Sequence, residues 1–343
     1  MRIAGRCFLE IGKVDDINSP FAEICNSNYC TFGMIPKLKR LFIASIKRLA
    51  NLGVLLKGGR TGHPRWKRFA VDALIFPLDV LAASGAIKTS GGTLRDLLVP
   101  RSFSAKLFYR KLCARSKHHI IWADKLAVRN YVSEKIGGAV LSEMIWEGVE
   151  LTREAWESFP ERFVLKANHA SGTNLFVGDK ARFRFEDAAD VTRGWFGYDH
   201  SIGNGEWQYR WIEPKLFVEG YLGGVGAPPP VDYKFFCFHG RAEFVQVDFD
   251  RFTNHTRTLF DRRFQPLPFG LLYERYEKPV EPPACFSLML DLAERLSSSE
   301  PFVRVDMYDV GGRPVFGELT LHPGSGGEPF RPHEWDHWCG KFL

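Results

Sequence analysis

Two strand-like runs near the carboxyl end of the chain carry charged residues at alternate positions. Residues 302–308 and 314–321 are rich in β-branched and aromatic residues, and two adjacent glycines lie between them. This pattern is typical of a β-hairpin rather than a helix. Because side chains alternate between the faces of a strand, the loop length decides whether Asp306 and Glu318 share a face. Two carboxylates on one face can bind Mg²⁺. Alternatively, the charged residues form an ordinary solvated face of the hairpin.

The loop between the two runs has two possible lengths. A two-residue turn formed by the glycines would place Asp306 opposite Gly317, with Asp306 and Glu318 on opposite faces. A three-residue loop over 310–312 would instead place Glu318 opposite Arg304. We predict the three-residue loop, because it alone explains charges at alternate positions of two otherwise apolar strands. One face would then carry Arg304, Asp306, Glu318, Thr320 and His322.

The composition is that of a soluble, folded protein. Of the 343 residues, 45% are hydrophobic and 25% are charged, which is ordinary for one or two globular domains. The seven cysteines are scattered and form no C-x-x-C pair, so neither a disulfide framework nor a structural zinc site is indicated, and we expect a cytoplasmic location. Residues 1–10 contain no long apolar run, and the most apolar stretch, 69–87, is interrupted by acidic residues and a proline. We therefore predict neither a signal peptide nor a membrane-spanning helix.

The basic charge of the chain is concentrated in one segment. Ten lysines and arginines lie within residues 37–68, and residues 24–71 contain no acidic residue. Apolar residues at helical spacing over 38–52 predict a basic amphipathic helix. Such a helix can make peripheral contact with the anionic inner face of a membrane or bind an acidic polymer, or it can pack on the core with its basic face solvated. We expect no nucleic acid partner, because no nucleic-acid-binding motif accompanies the charge.

The chain is predicted to divide into an extension and a catalytic domain. We assign residues 1–100 to a mainly helical, basic N-terminal extension and residues 101–343 to an α+β domain. Within this domain, Lys166 lies on a strand-like run that precedes a loop of small residues, 170–174. A lysine beside such a loop can bring a cation and several backbone N–H groups to a phosphate, although an edge-strand lysine above an ordinary turn would have the same sequence.

Other helices and strands are predicted from periodicity and from the positions of Gly and Pro. Helices are expected after Asp124, after Thr152 and over 287–296. Strands are expected over 216–222, 232–238 and 244–249 as an antiparallel meander, and over 207–211, where aromatic residues alternate.

Two groups of histidines have metal-ligand side chains but are expected to be structural. His118 and His119 are interpreted as the polar end of a helix. His333, His337 and Cys339 lie in a tryptophan-rich tail that is expected to pack on the core. Neither group is therefore predicted to bind a metal ion.

The order of these parts resembles the ATP-grasp superfamily, whose members hold ATP between two α+β subdomains. The closer resemblance, over residues 102–343, is to the TupA-like branch, named for teichuronopeptide biosynthesis. It implies an α+β ATP-grasp fold in which two subdomains with antiparallel sheets grip ATP. Six strings carry the resemblance: Asp124-Lys125-x3-Arg129-x-Tyr131-Val132, Phe163-Val164-Leu165-Lys166-x2-His169-x-Ser171-Gly172, Glu206-Trp207-Gln208-Tyr209, Asp232-Tyr233-Lys234-Phe235-Phe236-Cys237-Phe238-x-Gly240, Arg304-Val305-Asp306-x-Tyr308, and Phe316-Gly317-Glu318-Leu319-Thr320 with Gly324-Ser325-Gly326.

The resemblance implies a role for each matched residue at the phosphates of ATP. Lys125 and Lys166 are similar to the two lysines that neutralise the phosphates. Ser171, Gly172 and Thr173 resemble the flexible loop that closes over the triphosphate.

The resemblance also implies contacts to the nucleoside. Residues 216–222 are similar to the hinge between the subdomains. Within them, Val218 would offer backbone groups and Glu219 a carboxylate to the adenine. Asp232 is expected to bind the ribose hydroxyls.

The metal and catalytic positions follow from the same resemblance. Asp306 and Glu318 would bind Mg²⁺, a cation that prefers oxygen ligands and shares them with substrate phosphates. Arg304 would stabilise charge on the transferred phosphoryl group, and Lys234 is a further phosphate ligand. The superfamily usually has Asn two residues after the second carboxylate. This chain has Thr320 there, which is a poorer metal ligand.

The predicted activity is therefore that of an ATP-dependent carboxylate–amine ligase that forms an amide through an acyl-phosphate. The resemblance implies saccharide and amino-acid substrates, small or lipid-linked, in the synthesis of a cell-surface polysaccharide. The basic N-terminal helix, which lies outside the resemblance, would suit an enzyme that meets a lipid-linked intermediate at the cytoplasmic face of the membrane. The alternatives are a phosphotransferase of the same fold that acts on a sugar hydroxyl, and a non-catalytic polysaccharide-binding protein. Presence of both lysines and both carboxylates disfavours the non-catalytic alternative.

Overall fold

The computed structural model describes residues 65–343 of the chain, apart from 198, 203, 224–229, 252–253 and 299. The predicted basic helix at 38–52 and most of the basic segment 37–68 lie outside these residues. A search of the described helices finds none that is long and apolar enough to cross a membrane.

Helices and antiparallel strands make up the described chain. The α-helices are α1 (Arg65–Thr89), α2 (Phe103–Cys113), α3 (Lys117–Ala123), α4 (Val128–Ile136), α5 (Arg153–Ser158), α6 (Phe185–Phe196), α7 (Phe286–Ser297) and α8 (Glu334–Gly340). The strands are β1 (Met144–Gly148), β2 (Phe163–Ala167), β3 (Asn174–Val177), β4 (Leu216–Gly220), β5 (Asp232–Phe238), β6 (Arg241–Phe249), β7 (Thr256–Asp261), β8 (Gly270–Leu271), β9 (Phe302–Val310), β10 (Arg313–Thr320) and β11 (Phe330–Arg331).

Local sequence explains where the short helices begin and end. The Thr152 side chain accepts a hydrogen bond from the Ala155 N–H at 3.2 Å and caps α5. Asp124 Oδ1 accepts from the Leu126 N–H at 2.9 Å just before α4, and Gly137 ends that helix with a φ of +90°. The predictions of helices after Asp124 and Thr152 are thus confirmed.

The first sheet contains four antiparallel strands in the order β1-β4-β2-β3. Its buried face packs on α5 and the residues around it, where the rings of Trp156, Phe159 and Phe163 lie 5.2–6.4 Å apart. Edge-to-face contacts of this kind stabilise aromatic clusters beyond their area. The sheet therefore has one apolar face and one face left for polar side chains such as Lys166.

The second sheet contains five antiparallel strands in the order β10-β9-β5-β6-β7. One face is mainly apolar and packs against α7 through residues such as Met289, Phe235 and Val305. The opposite face changes character along the strands. At one end it carries phenylalanines that contact Phe103 of α2, and at the other end it carries charged and polar residues. Burial of the apolar parts on both faces fixes the strands that carry the polar end.

The β9–β10 hairpin differs from the predicted three-residue loop. Val310 pairs with Arg313, so the turn has two residues, both glycines with positive φ, as a two-residue hairpin turn requires. Asp306 and Glu318 nevertheless share a face, because a β-bulge at Gly317 shifts the register by one residue. Glu318 therefore lies opposite Asp306 and not, as predicted, opposite Arg304.

Residues 207–211 form a short 3-10 helix rather than the predicted strand. Within it, Trp207, Gln208 and Arg210 are buried. Aromatic residues at every second position fit a strand, but three residues per turn also place alternate residues on different sides. The tertiary contacts of Arg210 favour the 3-10 helix over the strand.

Arg210 joins helix α1 to the rest of the structure. Its guanidinium, which is 0% exposed, donates to Asp72 Oδ1 at 2.8 Å and to Asp79 Oδ1 at 3.0 Å. Arg115 donates to the other oxygen of Asp79 at 2.7 Å. Burial raises the pKa of Asp79, although the two arginines oppose this shift. The predicted domain boundary near residue 100 thus falls between Asp72 and Asp79 on one side and Arg115 and Arg210 on the other, although all four lie in one ion-pair network.

We predict that Gly317→Ala destabilises the protein. A Cβ at this position would lie 3.0 Å from the Asp306 carbonyl oxygen and 3.1 Å from the Tyr308 ring. We expect the free energy of unfolding to fall by about 1–3 kcal/mol, measured as a shift of the urea midpoint. Gly178→Ala is the matched control, because an added Cβ there meets no atom within 4 Å. Equal midpoints for the two variants would contradict the close approach at the bulge.

Candidate functional site

The polar end of the second sheet brings the predicted metal and catalytic residues together. Arg304 and Asp306 lie on β9, Lys234 lies opposite Asp306 on β5, and Glu318 lies opposite Asp306 on β10. Thr320 lies opposite Arg304. These five side chains therefore project from neighbouring positions of one sheet face.

Asp306 is the centre of this group. Arg304 donates to both of its oxygens at 2.7 Å, and Lys234 Nζ donates to Oδ2 at 2.9 Å. Asp306 is only 2% exposed. Burial opposes the charged form, but Arg304 and Lys234 outweigh it and hold the pKa of Asp306 below its ordinary value. The carboxylate is thus ionised and fully paired with cations.

Glu318 and Thr320 complete the outer side of the group. Thr320 donates its hydroxyl to Glu318 Oε1 at 2.8 Å and accepts from Arg304 at 3.1 Å. The Glu318 side chain is 42% exposed, in contrast to Asp306. Glu318 is therefore the carboxylate of the pair that solvent or a ligand can reach.

Asp232 lies at the inner side of the same face. One of its oxygens, Oδ2, contacts Lys234 and accepts from Arg251 at 2.8 Å. Its other oxygen, Oδ1, is buried and has no hydrogen-bond partner in the described structure. Burial raises the pKa of Asp232, while Lys234 and Arg251 oppose that shift. A buried acceptor of this kind suits a hydroxyl or other donor of a bound molecule.

The first sheet presents a second charged group around Glu219 of β4. Lys166 Nζ donates to Glu219 Oε2 at 2.6 Å, and Arg129 donates to Oε1 at 2.7 Å. Ser142 also donates to Oε1, at 2.5 Å. Burial opposes ionisation of Glu219, but Lys166, Ser142 and Arg129 outweigh it and lower its pKa. Both predicted residues, Lys166 and Glu219, are thus brought together.

Val218 differs from its predicted role as a backbone edge. It lies in β4, which pairs with β1 on one side and with β2 on the other. Its backbone groups are therefore inside a sheet and not at an edge, where a base could bind them. The predicted hinge, residues 216–222, coincides with this strand over most of its length.

Lys125 lies at the end of β2 beside the small-residue loop. Its ammonium contacts the carbonyl oxygen of Ala170 and lies 3.4 Å from that of Ala167. Asn168 fixes this arrangement, because its amide donates to Asp124 at 3.0 Å. Removal of the ammonium from water lowers the pKa of Lys125 to about 8, and Lys166 adds to this shift, whereas Glu318 opposes it.

The small-residue loop has an exposed tip and a buried base. Ser171 and Gly172 are exposed, and Gly172 has a φ of +75° with no atom within 4 Å of an added Cβ. Thr173, by contrast, is buried, and its hydroxyl donates to the Ala170 carbonyl at 3.3 Å. The tip can therefore reach a ligand, whereas the Thr173 side chain serves the loop itself.

The two charged groups lie near one another. Glu318 of the second sheet is close enough to Lys125, at the end of the first sheet, for its charge to oppose the lowering of the Lys125 pKa. The buried Glu206 also lies at this junction, where Ser325 donates to its Oε1 at 2.9 Å. Burial raises the pKa of Glu206, and the charge of Glu318 adds to that effect, while Lys111 opposes it.

Sequence reasoning assigned no role to several members of the two groups. Arg129 and Glu206 stand in the strings that carry the resemblance, so their positions were available as a signal. The only sequence signal for Arg251 was its place in a charged stretch that follows β6. Ser142 lies in no pattern, and its contact with Glu219 joins residues 77 positions apart.

The oxygens of Asp306, Glu318 and Thr320 fit a hard cation such as Mg²⁺. Two carboxylates and a hydroxyl are the ligand types that Mg²⁺ prefers, and the group contains no imidazole or thiol that would favour Zn²⁺. Because Arg304 and Lys234 occupy the Asp306 oxygens, metal binding requires an exchange of partners at this carboxylate.

Each of the two antiparallel sheets thus carries a group of paired cations and carboxylates. Residues 105–343 match the family model described as TupA-like ATPgrasp. The chain belongs to the TupA-like ATP-grasp family. The predicted fold class and the predicted family are confirmed.

Several solved structures are similar at low identity. D-alanine–D-alanine ligase from Bacillus anthracis is 16% identical over 59% of this chain and 57% of its own, with a TM-score of 0.36. The ATP-grasp ligase PsnB, complexed with a minimal precursor, is 13% identical over 69% and 67%, with a TM-score of 0.34. The macrocyclase MdnC from Microcystis aeruginosa is 13% identical over 77% and 65%, with a TM-score of 0.28. The matched part spans about three fifths of the D-alanine–D-alanine ligase chain. No curated protein matches the sequence.

We predict that Glu219→Gln destabilises the protein by about 2–4 kcal/mol, because the change leaves Lys166 and Arg129 without their carboxylate. Glu147→Gln is the matched control on the same sheet. Its ion pair with Lys215, at 3.1 Å, has side chains 53% and 38% exposed, and such pairs contribute about 1 kcal/mol or less. Urea unfolding of both variants measures the difference. A Glu219→Gln midpoint as high as that of the control would show that the cluster does not depend on this charge.

We also predict a pH dependence for Lys125. Its pKa in the folded state is about 8, below the ordinary value of 10.5. Between these two values the unfolded state binds more protons, so the stability that Lys125 contributes rises with pH. The free energy of unfolding of the native protein, minus that of Lys125→Met, should increase from about pH 7 to about pH 10. Lys215→Met controls for loss of an exposed lysine, and a constant difference for Lys125→Met would contradict the shift.

Proposed function

We propose that this protein is an ATP-dependent carboxylate–amine ligase. The observation that supports the proposal best is the proximity of two charged groups, with Lys125 and Lys166 at the first sheet and Asp306 and Glu318 on the second. Lysines suit the phosphates of a nucleotide, and the carboxylates suit the divalent cation that accompanies them. Membership in the TupA-like ATP-grasp family supports the same activity.

The lysines would bind the phosphates of ATP by changing partners. Lys166 would leave Glu219, and Lys125 would leave the carbonyl oxygens of its loop, for phosphate oxygens of higher negative charge. The exposed tip at Ser171 and Gly172 would add backbone N–H groups. Lys166 would thus be paired with an anionic group both with and without the nucleotide.

The nucleoside would bind at the ends of β4 and β5. The unpartnered Oδ1 of Asp232 would accept a hydrogen bond from a ribose hydroxyl. Glu219 would contact the adenine amino group, while the backbone of Val218, which lies inside the sheet, would not. Thr173 would support the loop rather than touch the nucleotide.

Asp306, Glu318 and Thr320 would hold Mg²⁺. When bound, the ion would neutralise phosphate charge during phosphoryl transfer. Arg304 would then be released from Asp306 to stabilise the transferred group, and Lys234 would remain beside Asp232 or contact a phosphate.

The reaction would proceed in two displacements. A carboxylate oxygen of the acid substrate would form a bond to the γ-phosphorus as the bond to the ADP oxygen breaks, giving an acyl-phosphate and ADP. The amine nitrogen would then bond to the acyl carbon as inorganic phosphate leaves, and the amine would lose a proton. The first step supplies a leaving group that a free carboxylate lacks.

The substrates are proposed from the family resemblance to be saccharides and amino acids of a cell-surface polysaccharide, with the basic segment 37–68 at an anionic membrane. A phosphotransferase of the same fold would use Lys166, Asp306 and Glu318 in the same way. Release of inorganic phosphate would distinguish the ligase, because a phosphotransferase leaves a phosphorylated product instead.

We predict that the full chain binds ATP in the presence of Mg²⁺ and that Lys166→Ala and Glu318→Ala each weaken this binding about tenfold to a hundredfold. Each variant removes one charged contact to the nucleotide or its cation, worth about 1.5–3 kcal/mol. Calorimetry measures the affinities. Lys215→Ala and Glu147→Ala are matched controls, because they remove an exposed ion pair from the same sheet. If the native protein binds no nucleotide, the ligase proposal is wrong.

A further inference from the structure

Three side chains outside the two charged groups bring metal-binding atoms together. The Nε2 atoms of His118 and His119 both lie against Oε1 of Glu300, that of His119 at 3.2 Å. The donor atoms of all three residues lie within 4.8 Å of one another. Ligands of a tetrahedral zinc ion lie about 3.3 Å apart, so modest side-chain rotations suffice to place an ion between them.

Neighbouring residues orient these donors. Arg110 donates to the other oxygen of Glu300, Oε2, at 2.8 Å, which leaves Oε1 directed at the two imidazoles. The Ser116 hydroxyl lies 2.7 Å from Nδ1 of His118. A hydrogen bond at the second ring nitrogen holds a histidine in the tautomer whose Nε2 can bind a metal. Both contacts therefore resemble the hydrogen bonds that orient the ligands of metal sites in proteins.

The cluster is buried on one side and open on the other. His119 and Glu300 are buried, whereas the His118 side chain is 45% exposed. His118 borders a cleft of about 460 Å³ that also contains Trp122 and Tyr131. An ion could thus enter from the cleft, and a water molecule could complete its coordination there.

We propose that His118, His119 and Glu300 bind a divalent transition-metal ion of the zinc type. Two imidazole nitrogens and one carboxylate oxygen favour Zn²⁺ or Co²⁺ over Mg²⁺, which prefers oxygen ligands. The ion would join α3 to the residue two positions before β9, the strand that carries Arg304 and Asp306. His118 and His119 lie in the first turn of α3, as the interpretation of a polar helix end predicted, and the proposal adds a metal ion at this position.

A hydrogen-bonded cluster without metal is the competing arrangement. In it each Nε2 carries a proton and donates it to Glu300, and Arg110 completes the charge balance. Such a cluster has no affinity for cations above that of other surface histidines. The two arrangements therefore differ in metal binding, which is independent of any ATP-dependent activity.

The test is a titration of the metal-free full chain with Co²⁺, with calorimetry and visible absorption as readouts. We expect one Co²⁺ per chain, bound in competition with Zn²⁺ but not with Mg²⁺, and d–d absorption typical of a nitrogen and oxygen environment. His118→Gln, His119→Gln and Glu300→Gln should each abolish this binding. Ser116→Ala should weaken it about tenfold, because it removes only the outer hydrogen bond.

His337→Gln is the matched control. His337 also lies near a second histidine, His333, with ring centroids 5.9 Å apart, but outside the cluster. Its removal should leave Co²⁺ binding unchanged. His118 is partly exposed, so His118→Gln should fold even if the buried His119→Gln does not.

Two results would overturn the proposal. One is a native chain that binds Co²⁺ no more tightly than His118→Gln. The other is equal binding in His118→Gln and Glu300→Gln with loss in His337→Gln, which would locate the ion at the carboxyl-terminal histidines. A rise in the melting temperature with Zn²⁺ that disappears in His118→Gln would support the site by a second readout.

Discussion

An extra residue in β10, Gly317, places both carboxylates of the site on one face of the second sheet. A two-residue turn on its own would have put Asp306 and Glu318 on opposite faces, where they could share no ligand. The bulge also positions Thr320 against Arg304, so the hydrogen bonds of the whole group depend on it. The glycine is needed there because a side chain would bring its Cβ within 3.0 Å of the Asp306 carbonyl oxygen.

The site is a set of paired charges that can exchange partners. Arg304 and Lys234 neutralise Asp306, and Lys166 and Arg129 neutralise Glu219, although these groups are largely buried. Breaking such a pair without replacing it is costly. An anion that accepts the lysine and a cation that replaces it at the carboxylate would keep every charge paired. Such an exchange would let the group stay stable without ligand and still bind charged ligands.

Much of the architecture could be predicted from the sequence. Strong periodicity and Gly or Pro boundaries located α4, α5, α7 and four of the five strands of the second sheet, all but β7, and ordered motifs identified the family. The prediction of a three-residue hairpin loop was wrong, because two different combinations of turn and bulge place Asp306 and Glu318 on one face. The prediction of a strand over 207–211 was also wrong, since the burial of Arg210 depends on carboxylates that are distant in the sequence.

The partners within the site were less predictable than its members. The structure brings Lys166 together with Glu219 and Asp306 together with Glu318. That Glu219 is held by Arg129 and Ser142 depends on contacts across 90 and 77 positions of the chain, which no local pattern encodes. The position of Val218 inside the sheet was likewise not predictable from local sequence, because it depends on the strand order, in which β4 has neighbours on both sides.

Arg210 has a consequence for how relatives of this protein should be compared. The family match begins at residue 105, but this buried arginine takes its countercharges from Asp72 and Asp79, which precede the match. A relative without an equivalent of α1 could not keep the arginine at this position without an unpaired buried cation. The arginine and the two aspartates should therefore be gained and lost together across the family. Their joint presence in a sequence would reveal which relatives have a helix like α1 before the shared domain.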